Sequence, residues 1–186
     1  SGIDLHDAAL LEKLAAEIKA LPTTLQAAPL ISGARSEGAG KPVRCPADRT
    51  RNAGAVIDAT GDDVTRAIDA AKAAAESWNA TPVEDRAQCL ERLADLMEVN
   101  RTELMALAVH EAGKSIPDAL AEVREAIDFC RYYAVQARTQ FAPERLPGPT
   151  GELNEIRLAG RGVFACIAPW NFPLAIFLGQ VAAALV

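Results

Sequence analysis

Residues 162–173 read Gly-Val-Phe-Ala-Cys-Ile-Ala-Pro-Trp-Asn-Phe-Pro, and no other stretch limits the fold as sharply. Residues 163–168 are an unbroken apolar run behind Gly160 and Gly162, β-branched or aromatic at several places. A short run of this kind between breakers predicts a strand buried on both faces, as in parallel sheets. Pro169 closes it, because proline has no N–H to give to a ladder. Pro173 stands where a helix can start without that N–H. Residues 174–186 follow, apolar almost all round, with Gln180 the only polar side chain. The unit predicted is strand, turn, helix, with Trp170 and Asn171 in the turn. Ligands of open parallel sheets bind beyond the carboxyl ends of the strands, where these two side chains fall. Read locally, Asn171 serves equally well as a cap for the following helix.

A single parallel strand and a single helix make no sheet, and no cap or stop signal precedes Val186. The sequence therefore reads as part of a larger protein. Its 186 residues suffice for one domain with a core. Acids and bases are interspersed at a net charge of −6, which argues against a nucleic-acid-binding face. Cys45, Cys89, Cys130 and Cys166 form no Cys-x-x-Cys pair. Three of them fall in apolar helix or strand patterns, so reduced core cysteines of a cytoplasmic protein are expected. No secretory pattern opens the chain. The apolar stretch 163–186 is broken by Pro169, Asn171 and Pro173 and is not a membrane span. His6 and His110 have no partner at metal-ligand spacing, so no metal is expected.

Along the chain, Asp4 or Asp7 can cap a first helix with Leu10, Leu11, Leu14, Ile18 and Leu21 at helical spacing, ended by Pro22. Residues 1–27 are read as a linker or docking helix. Residues 27–59 are rich in Gly, Pro and polar residues, and predict short hairpin-like strands around a loop at 36–41. Thr60-Gly-Asp-Asp63 and Thr81-Pro-Val-Glu84 have capping-box spacing, the second placing Pro82 at the first helical position. A helix over 102–112 ends at Gly113. Gly33–Lys41 and Gly113-Lys-Ser115 imitate phosphate loops, but neither has the required glycine-to-lysine spacing behind a strand. Lys114 is accounted for by the dipole of the helix before it.

Ser115 and Pro117 open the longest helix, to about Arg138, with Val123, Ile127, Cys130, Ala134 and Ala137 as its core stripe. A second row, Asp118, Glu122, Glu125, Phe129, Tyr132 and Gln136, also follows helical spacing. It is either a solvated face with snorkelling rings or a second buried face beside a polar site. Pro and Gly then crowd a linker over 141–151, and residues 152–159 predict an edge strand.

The Ala-Pro-Trp-Asn-Phe-Pro turn behind an apolar strand resembles the signature of the aldehyde dehydrogenase superfamily. The resemblance covers about residues 28–186 and implies the N-terminal part of that α/β fold. This part is mostly helical with short strands, and carries the first strand–helix unit of a Rossmann-like NAD-binding domain. Residues 28–140 would be the helical part of that domain, 141–160 a linker and arm of the oligomerisation flap, and 161–186 the first buried strand and helix. By position, Asn171 becomes the catalytic oxyanion donor, and Ile167, Ala168, Pro169 and Trp170 border the cofactor.

Two further tracts, Glu111-Ala-Gly-Lys-Ser-Ile-Pro-Asp118 and Val123-Arg-Glu-Ala-Ile-Asp-Phe-Cys-Arg-Tyr-Tyr-Ala134, are similar to glutamate-γ-semialdehyde dehydrogenases. The first helix and Ala28-Pro-Leu-Ile31 resemble the bifunctional proline-utilisation flavoenzymes, which are homo-oligomeric in expectation. There FAD belongs to a separate proline dehydrogenase domain and NAD to the semialdehyde dehydrogenase. The resemblance implies that Glu125 meets the amino end of the substrate and that Phe172 packs on its aliphatic part. It implies covalent catalysis, in which a cysteine thiolate attacks the aldehyde, hydride passes to NAD, and a general-base Glu activates water. The nucleophile and base have no counterpart within these residues. Cys166, the nearest cysteine, sits among apolar neighbours that suit a structural thiol. The chain alone is expected to be inactive. The alternatives are another aldehyde dehydrogenase, or an interaction module that keeps the fold without the chemistry.

Overall fold

The computed structural model describes residues 2–20 and 25–186. Helix α1 (Ala8–Ala20) starts where the Asp7 carboxylate accepts hydrogen bonds from the amides of Ala9 (3.0 Å) and Leu10 (3.1 Å). Leu14 and Ile18 of its apolar stripe are buried; the expected stop at Pro22, and Leu21, lie outside the described residues.

Five short strands follow: β1 (Gln26–Ala27), β2 (Leu30–Ile31), β3 (Ala34–Arg35), β4 (Lys41–Arg44) and β5 (Asn52–Val56). Strand β5 lies between β1, which runs parallel to it, and antiparallel β4. Strands β2 and β3 form a separate hairpin that turns at Ser32 and Gly33, with φ of 50° and 81°. Positive φ at both central residues matches the right-handed twist of the arms. The loop over 36–41, expected to join hairpin arms, instead links one sheet to the other. Gly54 of β5 has φ 141°, and a Cβ there would stand 2.4 Å from the Leu25 carbonyl oxygen.

Helix α2 (Gly61–Ala80) has the expected capping box: the Asp63 amide donates to Thr60 Oγ1 and the Thr60 amide to Asp63 Oδ2 (3.1 and 2.8 Å). The Thr60 amide and hydroxyl, followed by Arg66, hold the Asp63 carboxyl well below the usual carboxylate range. Helix α3 (Val83–Val99) corrects the second capping expectation. Pro82 is its N-cap with no side-chain bond, because the Thr81 hydroxyl donates backward to the Ser77 carbonyl at 3.1 Å. Helix α4 (Arg101–Ala112) ends in the left-handed cap at Gly113, φ 70°. Its His110 ring lies 2.9 Å from the Ile18 carbonyl and so ties α1 down.

Helix α5 (Ile116–Gln140) starts at the Ser115 cap and is the axis of the core. Val123, Ile127, Cys130, Ala134 and Ala137 are all buried, against Ala87, Leu90, Ala94 and Met97 of α3 and Met105 of α4. Alanine at so many of these positions lets the helix axes approach closely. Arg138 fastens the far end of α5 to α3. Its Nε and Nη2 donate to the Glu84 carboxylate (2.7 and 2.9 Å), and Nη1 and Nη2 donate to Glu91 (2.6 and 2.9 Å). Strands β6 (Glu144–Leu146) and β7 (Asn154–Ile156) then pair antiparallel as a separate arm, and α6 (Ala175–Leu185) closes the chain against α5.

Residues 163–168 depart from expectation. They form no ladder, and Val163, Phe164 and Ile167 are exposed. A strand must exchange its N–H and C=O groups with a neighbour, and among the described residues no strand runs beside this segment. One side-chain contact replaces the ladder, from Gln180 Nε2 to the Ile167 carbonyl at 2.9 Å. Ala71, Ala74, Ala75 and Trp78 of α2 face this segment and α6 across an open apolar hollow of about 610 Å³, also lined by Phe164 and Phe177. Cys89 also departs from expectation. It is exposed, since α3 turns Ala87, Leu90 and Ala94 inward and Cys89 away from them. All four cysteines are free.

Candidate functional site

The turn that carries Asn171 is held by a charged group of the second row of α5, to which the sequence assigns no role of its own. Glu122 of α5 is 1% exposed. Its Oε1 accepts hydrogen bonds from the amides of Leu174 (2.7 Å) and Ala175 (3.3 Å), the N-cap and first residue of α6. These amides have no intrahelical acceptor, and the positive end of a helix dipole favours a carboxylate there. The other oxygen, Oε2, takes no well-directed hydrogen bond, but stands 2.8 Å from the ammonium of Lys114, which is 13% exposed. The same Nζ lies over the Phe172 ring, 4.2 Å from its centroid.

Lys114 therefore does more than answer the α4 dipole. It bridges the residue after Asn171 to the carboxylate that holds the start of α6. Removing one member of a buried ion pair typically costs about 3–5 kcal/mol, because the other charge is left uncompensated. Two features were open to sequence reading, namely the position of Glu122 in the second row of α5 and the placement of Lys114 just after the Gly113 cap. Nothing local showed that they would meet.

Asn171 itself is exposed and makes no hydrogen bond with a described residue. Phe172 is partly covered by the Lys114 contact, whereas Ile167 and Trp170 are each 82% exposed. Ala168 and Pro169 continue the same segment, Ala168 half-buried and Pro169 exposed. Trp170, Pro173 and Leu174 border a hollow of about 320 Å³ whose opposite wall is α4, through Leu104, Ala108 and Glu111.

Glu125 is not brought into contact with the turn. It is exposed on α5 beside a shallow hollow of about 520 Å³ that it shares with Asp128, Phe129 and Tyr132. Residues three and four apart on a helix are neighbours on its surface, so Glu122, Glu125 and Phe129 lie along one row. Glu122 meets the start of α6, and Phe129 packs at Gly179, where an added Cβ would fall 3.0 Å from its ring. The second row of α5 is thus divided. Glu122 and Phe129 are packed against α6, and Glu125 between them is exposed. Among the described residues no group of three His, Cys, Asp or Glu side chains suits a metal, and no helix is long and apolar enough to cross a membrane.

The family model for the aldehyde dehydrogenase family matches residues 34–186, and the chain belongs to that family. Within it, the chain is similar to the bifunctional protein PutA of Escherichia coli (strain K12), at 41% identity over 100% of this chain and 13% of that protein. It is also similar to the 1-pyrroline-5-carboxylate dehydrogenase of Anoxybacillus flavithermus, at 41% identity over 76% of this chain and 27% of the relative.

Solved structures agree. Proline utilization A from Bdellovibrio bacteriovorus, inactivated by N-propargylglycine, superposes with a TM-score of 0.88 at 37% identity, over 97% of this chain and 19% of that one. The 1-pyrroline-5-carboxylate dehydrogenase from Thermus with bound NAD superposes with a TM-score of 0.87 at 31% identity, over 98% of this chain and 37% of that one. The chain spans 13% of the length of the E. coli PutA relative.

Proposed function

We propose that this chain is the N-terminal part of an NAD-dependent L-glutamate γ-semialdehyde dehydrogenase acting in proline catabolism, within a bifunctional parent. The observation that carries the reading is Asn171. It is a side-chain amide without a hydrogen-bond partner among the described residues, on a turn whose C-terminal side is tied to α5 through Glu122 and Lys114. A fixed amide N–H costs no reorganisation when charge develops on an aldehyde oxygen, the property that makes oxyanion donors effective.

In this reading Asn171 Nδ2 donates to the oxyanion. Phe172 packs on the methylene chain of the semialdehyde, and the exposed Glu125 carboxylate receives the α-ammonium. The open apolar surface of Ile167, Ala168, Pro169 and Trp170 fits the flat face of a nicotinamide nucleotide. NAD, when bound, supplies the hydride acceptor. The thiolate nucleophile and general base come from other parts of the parent, so the described segment is inactive by itself. FAD belongs to the separate proline dehydrogenase domain, and the β6–β7 arm serves a homo-oligomer of this cytoplasmic enzyme.

The test uses the full-length gene product. It should reduce NAD with glutamate semialdehyde and do so poorly with an aldehyde of equal length that lacks the amino group. Glu125→Ala should abolish that preference chiefly through KM. A charge-assisted hydrogen bond is worth about 1.5–3 kcal/mol, or roughly ten- to a hundred-fold in binding. Failure to reduce NAD with glutamate semialdehyde would contradict the proposal.

A further inference from the structure

The grip on the Asn171 turn is itself specific enough to assign a role. We propose that Glu122 is a positioning residue for aldehyde oxidation, acting through Asn171 without touching substrate, with Lys114 as its charge partner. This rests on Asn171 being the oxyanion donor.

Three observations converge on it. Glu122 is almost wholly buried, so its ionised carboxylate is retained only where bonds and charge compensate the lost hydration. Its Oε1 takes the two amides at residues 174 and 175, three and four positions past Asn171, which fixes where α6 begins and hence the path of the turn. Lys114 holds the turn closer to Asn171 by lying over Phe172, the next residue, while keeping its 2.8 Å contact with Glu122 Oε2. A single ion pair thus holds residues 172–175, directly after one amide side chain, by a ring contact and two backbone hydrogen bonds. The segment before the turn has no ladder among the described residues and is held through Gln180 at the Ile167 carbonyl, so the Glu122–Lys114 pair is the polar fastening on the far side of Asn171.

An oxyanion donor works only if it is aimed at the oxygen as charge develops, and a displacement of about 1 Å can cost on the order of a hundred-fold in rate. The consequence should therefore appear in turnover, not in affinity. Glu122→Gln keeps an acceptor for the two amides but strands the Lys114 charge. Lys114→Met leaves the carboxylate in place and removes its partner together with the contact over Phe172.

The experiment is steady-state kinetics of the full-length enzyme with glutamate semialdehyde and NAD, for Glu122→Gln, Lys114→Met, Asn171→Ala and the double variants with Asn171→Ala. The expected result is a kcat lower by on the order of ten- to a hundred-fold in each positioning variant, with KM for NAD unchanged in both and KM for aldehyde unchanged in Glu122→Gln. In the Asn171→Ala background neither substitution should slow turnover further, because residues acting as a unit are not additive. Wild-type kcat in Glu122→Gln, or losses that multiply in the double variant, would overturn the positioning role while leaving Asn171 in the site. Full turnover in Asn171→Ala would instead overturn the site reading beneath it. If Glu122→Gln does not fold, Lys114→Met decides by the same criteria.

Discussion

Ile127 and Ile167 are the same residue in opposite circumstances: the first is 0% exposed in α5, the second 82% exposed before the Asn171 turn. Both belong to strongly apolar stretches. A helix satisfies its own N–H and C=O groups, so its apolar stripe needs only a facing surface. In this chain α3, α4 and α6 provide that surface from nearby sequence. A strand must find both its ladder and its two covers elsewhere. The difference shows that apolar sequence fixes what a segment can become, and that local partners decide which segments do.

The largest effect that sharpens this contrast is in the core. Ile127→Ala should destabilise the chain by about 2–5 kcal/mol, read from the denaturant midpoint. A loss below 1 kcal/mol would mean that the α3–α5 interface is looser than its burial indicates.

A smaller effect concerns the clamp at the end of α5. Arg138, followed by Gln88, pulls Glu84 from the ordinary 4.5 to about 2, and Arg138 also lowers Glu91. A carboxyl depressed by folding stabilises above its unfolded pKa, and this contribution is lost as pH falls through the folded value. Stability should therefore drop between pH 4.5 and 2 more in the wild type than in Arg138→Met. The groups are partly solvated, so salt should weaken the effect. Equal acid slopes in the two proteins would remove the clamp from the account.

The smallest effect is expected at the other isoleucine. Ile167→Ala in the same 186-residue chain should shift stability by no more than about 0.5 kcal/mol, as for an ordinary surface change. A core-sized loss there would break the comparison, by showing the segment packed in solution.

Helical periodicity made α1 and α3–α5 legible, and the caps at Asp7, Thr60, Gly113 and Ser115 were readable from local chemistry. Thr81 departs from the capping expectation because its hydroxyl turns back to donate to the Ser77 carbonyl and accepts from no amide ahead. Asn171 could be singled out by its place behind an apolar run. Glu122 could not be separated from Glu125, since both lie in one row and only the packing of α6 buries the first and leaves the second open. The meeting of Lys114, Glu122 and Phe172 is tertiary, with no signature in spacing.

The central claim is that the Asn171 amide stabilises charge on a reacting oxygen. Single-turnover NADH formation by the full-length enzyme, with saturating glutamate semialdehyde, isolates that step from product release. Asn171→Ala should slow it by on the order of a hundred- to a thousand-fold, the usual cost of one oxyanion donor. A single-turnover rate equal to that of the wild type would show that this amide takes no part in the chemistry.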